Sequence, residues 1–151
     1  MSALRPGPTT AAVVPDERGR TRRLSGPVLL AGGLVAASVA LHLRDPHREG
    51  SWGFCPWLVL TGTFCPGCGG LRAVNDLTRG DVGAAASSNL LLVGAVPLFA
   101  WWWLRRTADA WRGVRRVVDE RVALRVTVVV VGAALLFWVV RNLPFAGWLA
   151  P

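Results

Sequence analysis

The chain has no lysine and no tyrosine, and only 17% of its 151 residues are charged, against the roughly 25% usual in soluble domains. So little charge, beside 52% apolar residues and a positive mean hydropathy of +0.41, excludes an ordinary water-soluble globule. All seventeen basic residues are arginine and the formal charge is +8, a balance that in a soluble protein would suggest nucleic acid. Here the arginines flank apolar runs and form no stripe interleaved with aromatics, so no nucleic-acid partner is expected. Internal repeats are lacking. So are a Ser/His/Asp arrangement, paired carboxylates, a phosphate loop and an H-E-x-x-H helix, so nothing indicates an enzyme class. The use of arginine for lysine and the Ala, Gly, Val bias fit a GC-rich bacterial source.

What is present is a set of long uncharged runs. Leu24 to Leu43 is twenty residues without an acid or arginine, Val82 to Leu104 is twenty-three, and Val122 to Leu143 has an uncharged centre from Val126 to Val140. Each approaches the ~20 residues that cross a ~30 Å hydrocarbon slab. We expect spans at about 25–43, 82–104 and 122–143. Arg125 and Arg141, near the ends of the third, should extend their guanidinium groups to the headgroups. Trp101-Trp102-Trp103 followed by Arg105-Arg106 is an interfacial anchor pattern. Ser38-Val39-Ala40 and Thr21-Arg22-Arg23-Leu24 loosely resemble a signal-peptidase site and a twin-arginine signal. The first run exceeds the ~7–15 apolar residues of a signal core, so it reads as a retained anchor.

Residues 1–24, with Pro6, Pro8, Pro15 and five arginines, read as a disordered basic tail ahead of a membrane domain at 25–151. A further uncharged run, Gly50 to Leu71, holds six glycines and two prolines. Such a chain cannot satisfy its own backbone in lipid, so it should be a loop held at the interface by Trp52, Phe54, Trp57 and Phe64. From Gly70 to Arg79, Leu71, Val74, Leu77 and Thr78 share one helical face and Arg72, Asn75, Asp76 and Arg79 another, the pattern of a short surface helix. The region 50–81 is thus a Cys-rich loop plus that helix. The fold class expected is all-α: an integral membrane protein with about three transmembrane helices and a short interfacial helix after a Cys-rich loop.

Arginine distribution sets an orientation. The tail, the 105–121 loop and Arg125 carry twelve; Arg44, Arg48, Arg72, Arg79 and Arg141 are the five on the other side, partly offset by Asp45, Glu49, Asp76 and Asp81. The positive-inside rule then puts the N-terminus in the cytoplasm of a bacterial inner membrane, with the cysteine loop and the C-terminus outside. Arg112, Arg115, Arg116 and Arg121, beside Asp109, Asp119 and Glu120, should be attracted to anionic lipid. Gly80 should end the surface helix and Asp81 cap the next one. Asn89 needs a partner on a neighbouring helix or the cysteine loop, and Pro97 should kink the second span. Gly32-Gly33, Ala36 and Ala40 form a small-residue face suited to helix packing, so the expected partners are the bilayer and either a homo-oligomer or another membrane protein.

All three cysteines fall within fourteen residues, as Cys55-Pro56 and Cys65-Pro66-Gly67-Cys68-Gly69. Together with Thr61-Gly62, Arg72-Ala73, Gly80-Asp81 and Asn89 this stretch resembles the bacterial membrane family called domain of unknown function 2752 (DUF2752), over about residues 52–104. Leu71 and Leu90 stand where that family often has Thr before the Arg and Pro after the Asn. The resemblance implies a small multi-pass membrane protein and no assigned chemistry.

Three roles for the cysteines stay open. Two of them could form a disulfide that ties down the loop. Cys65 and Cys68 could be a redox pair, although no strand–helix alternation accompanies them to make a thioredoxin-like fold. Cys55, Cys65 and Cys68 could bind zinc, with His47 or His42 as fourth ligand. Haem attachment is excluded, since Gly69 stands where C-x-x-C-H requires His. Cys68, just ahead of the surface helix and one turn from Arg72, is expected to be a low-pKa thiol. The functional expectation is a structural or partner-docking subunit needing no cofactor. Its rivals are a thiol–disulfide redox protein using Cys65 and Cys68, and a metal-binding protein.

Overall fold

A computed structural model describes residues 12–48, 50–52 and 54–149. Most of the proline-bearing tail, residues 1–11, lies outside the described residues, as do 49, 53, 150 and 151. The described chain runs β1 (Ala12–Pro15), α1 (Arg20–Leu43), α2 (Pro56–Thr61), α3 (Gly70–Thr78), α4 (Val82–Arg112), β2 (Val114–Val117), α5 (Glu120–Arg141) and a closing 3-10 helix at Pro144–Leu149.

Helices α1, α4 and α5 are long and apolar enough to cross a membrane. At 1.5 Å per residue their 24, 31 and 22 residues reach ~36, ~46 and ~33 Å, each more than a ~30 Å slab. Their leucines and valines point outward: Leu29, Val35, Leu98, Val129 and Leu136 are all exposed. That distribution suits lipid rather than water as the surrounding medium. The helices alternate in direction. The start of α1, the end of α4 and the start of α5 lie at one end; the end of α1, the break in α4 and the end of α5 lie at the other, around α2 and α3.

Two short elements depart from the sequence expectation. The tail over 1–24 is not wholly without structure. Val13 and Val14 pair antiparallel with Arg116 and Arg115, and α1 already begins at Arg20. The β-branched residues of both segments suit a strand. Pairing them across a hundred residues also satisfies backbone groups, as when the Asp16 amide donates to the Gly113 carbonyl at 2.8 Å. Within the cysteine loop, Pro56 occupies the first turn of α2, where its missing N–H costs nothing, so part of the expected loop is helical.

The break in α4 lies at Asn89, not at Pro97. Asn89 is the one α4 residue with non-helical dihedrals (φ −161°, ψ 92°). Its Oδ1 accepts from the Leu92 amide at 2.9 Å, as an N-cap does, so α4 is in effect two helices joined at a cap. At its start, Asp81 Oδ1 accepts from the Ala84 amide at 2.8 Å, following Gly80 at φ +80°. On the small face of α1, a Cβ on Gly32 or Gly33 would meet nothing within 4 Å among the described residues.

α3 is amphipathic, and the centre of its polar face is buried, while Arg79 at the edge of that face is exposed and Val74 and Leu77 are half-buried. Ala73, Asn75 and Asp76 are buried while Leu71 is exposed. Asn75 Nδ2 donates to the Leu41 carbonyl at 2.7 Å, and Asp76 accepts from Ser88 Oγ at 3.0 Å. In lipid an apolar side chain gains nothing by turning inward, so hydrogen bonding decides which face is covered.

Candidate metal centre

The three cysteines come from three local structures. Cys55 is the residue before α2. Cys65 and Cys68 bracket a tight turn, in which the Cys68 amide donates to the Cys65 carbonyl at 3.1 Å. Gly69 then takes φ +75°, a left-handed conformation that costs a residue with a Cβ and turns the chain into α3. The result is a triangle of sulfurs: Cys55 to Cys65 is 3.6 Å, Cys55 to Cys68 is 3.2 Å and Cys65 to Cys68 is 2.9 Å. None is disulfide-bonded. All three Sγ atoms lie close enough together to hold one metal ion.

Side-chain donors on the backbone carbonyls shape the turn from outside. Arg141, at the end of α5, is only 2% exposed. Its guanidinium donates from one nitrogen to the carbonyls of Cys65 (2.9 Å) and Cys68 (3.1 Å), and from the other to Leu149 at 2.9 Å. Asn89 Nδ2 donates to the Pro66 carbonyl at 2.9 Å and again to that of Cys68 at 3.0 Å. Asn142 binds Phe64 in both directions, accepting from its amide at 2.8 Å and donating to its carbonyl at 2.9 Å. The segment Phe64–Cys68 is therefore gripped by α4 on one side and α5 on the other.

Arg141 corrects the sequence reading, which sent its side chain outward. Two carbonyls on the folded loop and one on the closing 3-10 helix offer it more than headgroups do, and the Phe137 ring 4.9 Å from its guanidinium carbon covers one face. Its Nε is buried with no hydrogen-bond partner. Among the described residues no carboxylate lies within ion-pair distance of it. Sequence reasoning missed Arg141 and Asn142; the available signal was an Arg-Asn pair closing the most apolar run.

The thiols differ in acidity, and Cys68 is not the acidic one that was expected. Burial, with the neighbouring Cys65 and Cys55 thiols, pushes Cys68 up to about 12. The helix start and Arg72 do not rescue it, because Arg72 Nε instead points to the Pro46 carbonyl at 3.4 Å. Cys55 is the lowered one, since the Leu58 amide at the start of α2 and the Cys68 thiol both favour its thiolate.

The histidines stand apart from the sulfurs. His47 Nε2 is 2.8 Å from Asp76 Oδ1, and His42 Nδ1 is 2.9 Å from Thr78 Oγ1. The metal-competent group consists of the three cysteines without either. A cavity of about 390 Å³ adjoins them, lined by Trp52, Phe54, Leu58, Phe64 and Arg72 among others.

A helical protein with three helices able to cross a bilayer, carrying a three-cysteine cluster where two of them meet a surface helix, is the class so defined. Residues 55–103, about a third of the chain, match the family described as protein of unknown function (DUF2752). Comparison with curated proteins and with solved structures gives no match.

Proposed function

We propose that the chain is a multi-pass protein of the bacterial inner membrane whose extracytoplasmic cysteine centre binds one thiophilic metal ion, zinc being the natural candidate, and so rigidifies a platform for a partner. The convergence of three sulfurs on one point carries this reading. A disulfide joins two sulfurs at about 2.05 Å and leaves a third unused. Thiolates sharing one tetrahedral zinc at about 2.3 Å are ~3.8 Å apart, so the three sulfurs, 2.9 to 3.6 Å from one another, need only spread slightly to take the ion.

Charge supports the same reading. A buried guanidinium without a carboxylate needs another source of negative charge nearby. Three thiolates on a divalent ion leave one negative charge beside Arg141. The cavity beside the sulfurs leaves room for a fourth ligand from outside the cluster. The location outside the cell rests on the arginine distribution, and the docking role on the exposed Phe54 and Trp57 that rim the loop.

Thiol–disulfide exchange is the second reading, favoured by the 2.9 Å approach of Cys65 and Cys68. Two thiols would lose two electrons and two protons to a partner disulfide as the S–S bond forms. The experiment that separates the two is metal analysis of the full chain, purified in detergent without added metal, combined with thiol counting. One equivalent of metal per chain, lost in each of Cys55→Ser, Cys65→Ser and Cys68→Ser, is expected. Metal-free protein with two of its three cysteines oxidised would overturn the metal reading in favour of exchange.

A further inference from the structure

At the opposite end of the helices from the sulfurs lies a larger cavity, of about 540 Å³, between the start of α1, the end of α4 and the β1–β2 ribbon. Seven arginines and two aspartates line it. Both acids are already engaged: Asp16 accepts from Arg18 at 2.6 Å and Asp109 from Arg116 at 2.6 Å. Arg18 holds the Asp16 carboxyl well below the usual carboxylate range, so that acid stays charged and occupied. Arg22, Arg23, Arg105, Arg106 and Arg115 remain, with no carboxylate within ion-pair distance among the described residues.

Five cations around one hollow, near only two carboxylates that are each already bonded to another arginine, repel one another unless an anion enters. Arg23 is the clearest case. It lies across Gly113 so closely that a Cβ there would collide with its guanidinium; among the described residues that guanidinium makes only a 3.4 Å contact to the Asp16 carbonyl, and its Nε is buried with no partner. The floor is of another character: Pro27, Leu30, Trp102 and Trp103 line it, continuous with the apolar surfaces of α1 and α4. Trp103 Nε1 donates to the Pro27 carbonyl at 3.2 Å and fixes the two helices there, while Trp101 and Trp102, which also line the cavity, stay exposed, as indole rings at a bilayer interface are.

From this combination we infer a binding site for an anionic phospholipid, its headgroup phosphate among Arg22, Arg23, Arg105, Arg106 and Arg115 and its acyl chains along Leu30 and Trp102. Phosphate suits the arginines because each guanidinium offers paired donors to its oxygens. The apolar floor distinguishes a lipid from a soluble phosphate, which has nothing to bury there. A basic pocket between membrane helices is a recurrent form of headgroup recognition. The site shares no residue with the cysteine centre, and its test does not depend on metal.

The test is native mass spectrometry of the full chain released from nanodiscs containing equal amounts of phosphatidylglycerol and phosphatidylcholine. Retention of phosphatidylglycerol is expected, reduced roughly tenfold in Arg23→Gln/Arg115→Gln. The pair Arg121→Gln/Arg125→Gln removes the same charge at the same end without touching the cavity, and should change retention less than about twofold. Equal loss in both pairs would mean diffuse attraction and overturn the site, as would retention of both lipids alike. Displacement by millimolar inorganic phosphate would overturn the lipid assignment in favour of a free anion. Arg105→Gln/Arg106→Gln on the other wall provides a second variant should the first not fold, and the same loss is expected.

Discussion

Arg141 and the cysteines act through few contacts, so single substitutions there are informative. Arg141→Met leaves three buried carbonyls without their donor and removes the cation beside the sulfurs. A cost of about 3 kcal/mol is expected from the loss of a buried charged hydrogen-bond set, read as a lowered Tm in detergent together with reduced metal content. Arg141→Lys restores the charge but not the two-nitrogen reach that joins Cys65, Cys68 and Leu149. It should recover metal binding more fully than Tm. Cys55 and Cys68 should also label in order. In metal-free reduced protein, iodoacetamide should reach Cys55 at the lower pH, because its thiolate is favoured. Cys68 should react after it, because its acidity is pushed up to about 12 and it is 8% exposed. A folded-state value above the ordinary 9.0 means that the neutral Cys68 is the form the fold holds. Its contribution to stability is therefore present below pH 9 and declines as pH rises from there toward 12. Peptide mapping at stepped pH checks the order.

Within the elements, Asn89 does what Pro97 was expected to do. Asn89→Ala removes the cap on the second half of α4 and two donors to the cysteine turn, and should cost ~2 kcal/mol with loss of metal retention. Pro97→Ala should leave Tm and metal content near those of the native chain, because the dihedral break in α4 falls at Asn89 and Pro97 makes no contact with the cysteine turn. The contrast shows what the sequence could and could not reveal. Span lengths, the Gly-Pro-rich interruption and the Gly80-Asp81 boundary are local properties of composition and spacing, and they were legible. The direction of a side chain in lipid is not local. Arg141 could turn to headgroups or to a folded loop, and only the position of Cys65 and Cys68 decides between them. α3 displayed its amphipathic pattern openly, but the habit of burying the apolar face belongs to water. The β1–β2 pairing joins two segments too short and too far apart for periodicity to reveal.

For the molecule as a whole, alternating helix directions separate the arginine cavity from the sulfur centre by the length of a span. If the chain crosses the membrane as proposed, the two lie on opposite sides. A membrane-impermeant maleimide applied to intact cells, after reduction and chelation, should label the cysteines, and lysis should add little. Labelling only after lysis would invert the orientation. The three cysteines and Asn89 were legible as candidate site residues, but their assembly with Arg141 and Asn142 was not, because it depends on where α5 ends in space.

α5 has none of the 18 residues of its most apolar stretch buried, and it joins the remainder chiefly through its two ends. It therefore behaves as a gauge rod that delivers Arg141 to the loop at a set height and azimuth. Inserting one alanine near Gly132 would swing everything beyond it by ~100° and advance it by ~1.5 Å, carrying the guanidinium off its carbonyls although no contact residue had changed. Exchanging one valine of that stretch for leucine should pass almost unnoticed. For this helix, residue count is under tighter constraint than residue identity.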